Sequence, residues 1–234
     1  DYVVVGGGSA GCVLAARLSE APETRVLLIE AGPKDSSPYI HMPVGFFKMT
    51  SGPLIWGYET APLRHANNRR AVYPQARVLG GGSSINAEIY TRGCPEDYDN
   101  WATQHGCDGW SWRDLQPCYI RSEGNARLGG ADHGIDGPLA VSDLQSPNRV
   151  SLAYVQGCMD IGMPHNPDFN SGRQEGAGLY QTTTRDGRRC SAAVGYLRPV
   201  MGRKNLQVRT DLHVTRIIIE NGRAAGVEVS ENGG

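Results

Sequence analysis

The chain has 234 residues, a formal net charge of −1 and 20% charged residues. That near-neutral balance gives no electrostatic case for nucleic acid or an anionic membrane as partner. No apolar run is long enough for a transmembrane helix, and the six cysteines, at 12, 94, 107, 118, 158 and 190, form no C-x-x-C pair and have no His cluster beside them, which argues against zinc.

Such scattered cysteines are expected to be reduced thiols in a cytoplasm. The 31 glycines suit a protein that winds around an extended cofactor, and the lack of low-complexity repeats argues against disorder. The chain opens inside a strand and without an initiator methionine, so the natural N-terminus is expected to have been trimmed, together with any targeting segment.

The first thirty residues read as strand, glycine turn, helix, strand and acidic residue. Tyr2 to Val5 is a short β-branched run, expected to be a strand covered on both faces of a parallel sheet. Gly6, Gly8 and Gly11 match G-x-G-x-x-G: one glycine for a tight turn, one for close approach of a pyrophosphate, one for helix–strand packing. Helix-start N–H groups then face the phosphates, where the helix dipole favours negative charge. Val13, Leu14, Ala16, Arg17 and Leu18 support the helix, and Ala21-Pro22 ends it. Val26 to Ile29 is a second strand. Glu30, nineteen positions after Gly11, can accept hydrogen bonds from a ribose diol. Such a bond to a charged acceptor contributes roughly 1.5–3 kcal/mol. An acidic residue here favours FAD or NAD over NADP, whose 2′-phosphate it repels; it does not choose between FAD and NAD.

Ala31-Gly32-Pro33 is a turn. Residues 33–75 carry many prolines, glycines and aromatics with little periodicity, as in a long excursion over a cofactor. Trp56 and Tyr58 within it either line a flavin pocket or anchor the loop, while His41 and His65 read as ordinary polar or partly buried histidines. The next informative stretch runs from Arg77 to Tyr90. Its Gly80-Gly81-Gly82-Ser83-Ser84 is rich in accessible N–H donors and can lie flat against a ring system or a phosphate, or form a structural hairpin. Ile85, Ala87 and Ile89 offer an apolar surface beside it.

From Ala76 to Asp99 the sequence resembles the first signature of the glucose–methanol–choline (GMC) oxidoreductases: Ala76-Arg77, Leu79-Gly80-Gly81-Gly82-Ser83, Ile85-Asn86, Tyr90, Gly93 and Asp99. The resemblance implies an α/β fold: a Rossmann-like FAD-binding domain of the GMC/p-hydroxybenzoate-hydroxylase type plus part of an α+β substrate-binding domain. It implies FAD as cofactor. Gly6, Gly8, Ser9, Ala10 and Gly11 are then expected at the pyrophosphate, and Glu30, with Ala31 beside it, at the adenosine ribose. Gly82, Asn86, Ala87 and Ile89 are expected along the pyrophosphate–isoalloxazine part, with Arg77, Gly81 and Ser83 also in the cofactor site. Some members of the family attach FAD covalently through a His just before the Asn; that position is Ile85, so non-covalent FAD is expected.

Beyond the signature, Tyr98 to Glu123 holds Trp101, Trp110, Trp112 and Tyr119, read mainly as helix packing. Ser111 and Asp114 predict a capped helix start. Residues 124–138 read as a glycine-rich crossover, 137–142 as a strand, 148–162 as a helix, 164–178 as a loop and 180–185 as a threonine-rich strand. Arg188 to Leu197 reads as a capped helix stopped by Pro199, its arginines placed in surface or interdomain pairs rather than an anion site, and Cys190 as structural. Strands are predicted at 206–209, 214–220 and 224–229, with Asn221-Gly222 as the hairpin turn. The resemblance returns this segment to the FAD domain, with Val214 backbone beside adenine. The expected domains are therefore 1–136 (FAD-binding), 137–204 (partial substrate-binding) and 205–234 (FAD-binding again).

The resemblance implies oxidation of a primary or secondary alcohol to an aldehyde or ketone by hydride transfer to flavin N5, with a His base. It places that base, and the second signature, beyond Gly234, so no catalytic residue is expected here and the fragment alone is expected to be inactive. Asn67-Asn68-Arg69, Gly187-Arg188-Arg189-Cys190-Ser191 and Asn205-Leu206 are most similar to the bacterial alcohol and choline dehydrogenase branch. The expected partners are a small-molecule alcohol and an electron acceptor, a quinone or oxygen; the expected source is bacterial, and the location cytoplasmic or peripheral at the inner membrane. An alcohol oxidase, a hydroxynitrile lyase of the same fold and a bare FAD-binding fragment are the rival readings.

Overall fold

A computed structural model describes residues 1–231. It divides into two compact units, one made of residues 1–87 and 188–234 and the other of residues 88–187. The divisions expected from the sequence and the resemblance, at 136/137 and 204/205, fall within these units. The composition shift at 124–138 is an internal crossover of the second unit: Glu123–Asn125 pairs parallel with Leu139–Val141.

In the first unit, β1 (Tyr2–Val5), β2 (Val26–Ile29) and β3 (Leu206–Arg209) form a parallel sheet in the order β1-β2-β3. Tyr2 faces Val26 and Val26 faces Leu206, so the register carries across all three strands. The helix α1 (Ser9–Leu18) connects β1 to β2 and packs on the sheet through Cys12 and Ala15, with Val4, Leu28, Leu79, Ala193 and Leu197 in the same core. Its buried positions are Gly11, Cys12, Ala15 and Ala16, whereas Leu14 is exposed. Small residues on that face let helix and sheet approach closely, which is why the larger apolar residues lie to the side. Among the described residues β1 stands at one end of this three-stranded order, and only Val4 of its four residues is buried.

Residues 33–75 contain a one-turn helix at Pro38–His41, a 3₁₀ turn at Pro43–Lys48 and the short pair Tyr58–Glu59 with Val72–Tyr73. A second small core of Ile40, Met49 and Val78 anchors this excursion. Trp56 stacks parallel to Tyr58 at 6.1 Å and meets His213 at 5.3 Å, so it holds the loop down. The long hairpin β4 (Leu212–Glu220) and β5 (Arg223–Glu231) closes through Asn221 and Gly222, both at positive φ, as the Asn-Gly signal requires. Residues 188–200 depart from the expected regular helix: a strand at Arg188–Arg189 leads into a π-turn at Ala193–Leu197 and a 3₁₀ turn at Arg198–Val200.

In the second unit, the helix at Trp112–Ser122 starts with the Ser111/Asp114 capping box. The helix at Arg149–Asp160 is capped by Asn148, whose side chain accepts from the Val150 N–H. Tyr98 packs among Trp101, Trp112 and Tyr119. The interior is polar. Arg92 pairs with the fully buried Glu123, and the two ring nitrogens of His133 face Glu123 at 3.0 Å and Asp168 at 2.9 Å. Thr182 bridges to Ile89 and to Ser142, and only Thr184–Arg185 of the expected 180–185 strand is regular.

Candidate functional site

Four segments of the first unit meet at the C-terminal ends of β1 and β2. The first is the turn Gly6–Gly11. Gly6 takes φ +92° and donates its N–H to the Ile29 carbonyl at 2.8 Å. A Cβ at Gly11 would lie 1.9 Å from the Gly6 carbonyl oxygen, so the start of α1 sits directly on the turn. Gly8 is the N-cap of α1, no side chain caps it, and no acidic residue stands in the first turn. Ser9 and Ala10 are exposed. The orphan N–H groups and the positive end of the helix dipole are thus left facing outward, the arrangement that receives a phosphate.

The second segment is Glu30–Gly32. Glu30 is 7% exposed and accepts from the Gly7 N–H at 2.7 Å and the Gly32 N–H at 2.8 Å. Burial pushes its carboxyl pKa up, while the Gly32 and Gly7 N–H bonds and the Arg77 charge pull it down. Two backbone donors leave a carboxylate with acceptor capacity.

The third is Arg77–Asn86. Its backbone crosses Gly32 so closely that a Cβ there would lie 2.0 Å from the Arg77 carbonyl oxygen. Leu79 donates to Pro33 and Gly80 donates to Gly7, which joins the two glycine segments. A Cβ at Gly81 would sit 2.6 Å from the Gly8 Cα. Ser83 Oγ donates to the Gly80 carbonyl at 2.6 Å and accepts from the Ala192 N–H at 2.9 Å. The Arg77 guanidinium lies 5.2 Å over the Trp56 ring, and its Nε is buried without a hydrogen-bond partner among the described residues. Gly82, Asn86 and Ala87 are exposed on this side. The fourth segment is Asp211–Val214: Asp211 donates to the Gly32 carbonyl and Leu212 to the Glu30 carbonyl.

The structure therefore brings together Gly6, Gly8, Ser9, Ala10, Gly11, Glu30, Ala31, Arg77, Gly81, Gly82, Ser83, Asn86 and Ala87, and Val214 lies two residues beyond the Leu212 contact. Ile89 is exposed and belongs to the second unit. Cys12 lies under the turn, its thiol donating to the Gly7 carbonyl and its pKa pushed up to about 12, chiefly by burial. The sequence reads Arg189 as one of two arginines in surface or interdomain pairs; the structure buries it against Asn86.

The glycines separate into two kinds. Gly7, Gly11, Gly32 and Gly81 are needed by the chain's own packing, because a Cβ at any of them meets protein atoms at 3.0 Å or less. Gly8 and Gly82 are not: nothing stands closer than 3.9 Å to a Cβ at Gly8, and nothing within 4 Å at Gly82. Those two keep a strip of backbone bare on the open side. A bare strip, a free helix start, a buried carboxylate and an orphaned arginine donor fit a dinucleotide with a pyrophosphate and a ribose. Among the described residues no group of His, Cys, Asp and Glu is placed to hold a metal.

Fold and site thus define a dinucleotide-binding protein of the α/β class. The pattern of the GMC oxidoreductases matches residues 1–234, and the chain belongs to that family. It is 45% identical to the alcohol dehydrogenase [acceptor] of Pseudomonas putida over 229 residues, covering 97% of this chain and 41% of that protein. It is 40% identical to the mitochondrial choline dehydrogenase of Homo sapiens, covering 100% of this chain and 40% of that protein. Pyridoxine 4-oxidase from Mesorbium loti superposes with a TM-score of 0.94 at 35% identity, covering 100% of this chain and 46% of the other. A second solved structure, an FAD-dependent oxidoreductase from Chaetomium thermophilum, gives a TM-score of 0.90 at 30% identity over 99% of this chain and 42% of its own. The chain spans about two-fifths of the length of the curated relatives it matches. Family membership implies FAD as the cofactor, and the α/β FAD-binding fold expected from the resemblance is the one found. No helix among the described residues is long and apolar enough to cross a membrane.

Proposed function

We propose that this chain is the FAD-holding part of an alcohol dehydrogenase of the choline dehydrogenase branch. The observation that carries the reading is the bare strip at Gly8 and Gly82, which the chain's own packing does not require, beside the uncapped start of α1. Ser9, Ala10 and the first N–H groups of α1 hold the pyrophosphate; Gly6 and Gly11 give that turn its shape. Glu30 accepts from the adenosine ribose while its bonds to Gly7 and Gly32 keep it aimed. The backbone at Val214, with Ala31 and Arg77, flanks the adenosine end. Gly81, Gly82, Ser83, Asn86 and Ala87 line the path from pyrophosphate toward the ring system.

FAD, when bound, supplies a hydride acceptor for an alcohol carbon. The residues of this chain bind and orient it. None of them is assigned as the base, and no step of proton transfer is placed on the six histidines. Ile85, half-buried against Ile40 and Val78, puts an apolar group at the position where some relatives carry a His, which supports non-covalent FAD. The first unit is the FAD-binding domain and the second the beginning of the substrate side. The substrate class is a small alcohol, as in the names of the dehydrogenase relatives. A quinone-type acceptor is favoured; oxygen is the second reading, because relatives include an oxygen-dependent choline dehydrogenase and a pyridoxine 4-oxidase. Free thiols at all six cysteines support a reducing compartment, in keeping with a cytoplasmic bacterial protein.

The test is the visible absorption spectrum of the purified protein before and after acid precipitation. Flavin bands that leave with the supernatant are expected. Bands retained in the pellet contradict non-covalent binding, and a protein that takes up no flavin when FAD is added contradicts the reading as a whole.

A further inference from the structure

Arg189 is the bulkiest fully buried side chain among the described residues, 2% exposed, and it is a cation. Its Nε donates to the Ile40 carbonyl at 2.7 Å. Its Nη1 donates to the Ser83 carbonyl at 3.2 Å and to Asn86 Oδ1 at 2.6 Å. Three acceptors on two separate segments converge on one planar fork, a geometry an ammonium cannot reproduce. Burying a guanidinium carries a large desolvation cost, and packing alone is met by an apolar side chain of similar volume. The cation is therefore retained for what it holds.

What it holds is the second glycine loop. Ser83 lies within the one-turn helix Gly82–Ile85 and Asn86 is its C-cap, and both are contacted by the same Nη1. Three residues further on, the Ala192 N–H donates to Ser83 Oγ, so residues 189–192 clasp the loop at two points. An arginine has only donors. The Asn86 atom facing it is thus the amide oxygen, and the –NH₂ end is turned the other way. The loop in turn bears on the first glycine turn through the Gly80 N–H to the Gly7 carbonyl.

We propose that Arg189 is a positioning residue of the flavin site: through Asn86 Oδ1 and the Ser83 carbonyl it fixes the shape of the second glycine loop and the orientation of the Asn86 amide toward the cofactor. This rests on the reading of the site as an FAD site. The experiment is a double-mutant cycle on the purified protein, with FAD affinity and the visible spectrum of the bound flavin as readouts and the thermal midpoint of the FAD-free form alongside. Arg189→Met is expected to weaken FAD binding about 10- to 100-fold, the effect of losing a charge-assisted hydrogen bond, and to shift the flavin bands. Adding Asn86→Ala to Arg189→Met is expected to change affinity by less than about 3-fold, because the two act as one unit. Arg189→Lys is expected to restore part of the affinity and, if Arg189→Met does not fold, to carry the same cycle.

A purely structural Arg189 lowers the thermal midpoint while flavin bands stay unchanged and the effect of Asn86→Ala adds in full; that result overturns the proposal. If the unsubstituted protein takes up FAD and the variants match it, this inference alone fails. If the unsubstituted protein takes up none, the assignment of the site fails and this inference with it.

Discussion

The two glycine segments of the site do similar work by different means. The turn Gly6–Gly11 is shaped by backbone: Gly11 lies against the Gly6 carbonyl and Gly6 donates to the Ile29 carbonyl. The loop Gly80–Asn86 is shaped by side chains, its own Ser83 and Ser84 and the remote Arg189. A segment held by backbone contact can be specified by glycines within six residues. A segment held by side chains needs partners that another part of the chain must deliver. The first therefore tolerates almost no added atom at the glycines that touch protein, while the second is adjustable through the residues that clasp it.

The largest effect that separates the two kinds of restraint is expected at Gly11. Gly11→Val forces atoms into the Gly6 carbonyl and should cost about 3 kcal/mol or more. That corresponds to a fall of roughly 6–12 °C in the thermal midpoint of the FAD-free protein. A midpoint unchanged on calorimetry breaks the claim that the turn is held by backbone contact.

Glu30 comes next. Glu30→Ala removes the acceptor for two backbone N–H groups and for the ribose, and FAD binding should weaken about 10- to 100-fold in a fluorescence titration. The residue also gives a pH dependence with a definite sign. Its folded carboxyl titrates above the ordinary 4.5 because burial disfavours the charge. The native state therefore binds this proton more tightly than the unfolded chain. Its contribution to stability is full below about pH 4.5 and is lost as pH rises through the elevated value. Denaturant melts of the FAD-free protein across that window should show the decline, and Glu30→Gln should flatten it.

The smallest effect sharpens the picture of the turn's underside. Cys12 is fully buried with its pKa at about 12, and Cys190 is buried as well, whereas Cys107 and Cys118 are exposed. Iodoacetamide at about pH 8 should label the exposed pair in the native protein and leave Cys12 and Cys190 untouched, since the thiolate is the reactive form. Mass spectrometry reads the pattern directly.

How much of this was legible follows the same division. The strand–turn–helix–strand–Glu30 order could be read because every signal is local: β-branched runs, glycines at fixed offsets and an acidic residue at a strand end. The Asn221-Gly222 hairpin and the Ser111/Asp114 cap were legible for the same reason. Arg189 was not, because its partners Ile40, Ser83 and Asn86 lie more than a hundred residues away and no period links them. The Arg92–Glu123–His133–Asp168 cluster was missed on the same ground, its members being spread over separate loops and the short strand that starts at Glu123.

The measurement that tests the central claim most directly is the FAD affinity of Gly8→Val, taken with the thermal midpoint of its FAD-free form. Gly8 sits at φ −75° with no atom closer than 3.9 Å to an added Cβ, so the protein itself has room for the change. The account predicts a midpoint within about 3 °C of the unsubstituted protein, a shift of about 1 kcal/mol, together with loss of FAD retention. A variant that binds FAD as tightly as the parent would show that the bare strip beside α1 is not where the cofactor lies.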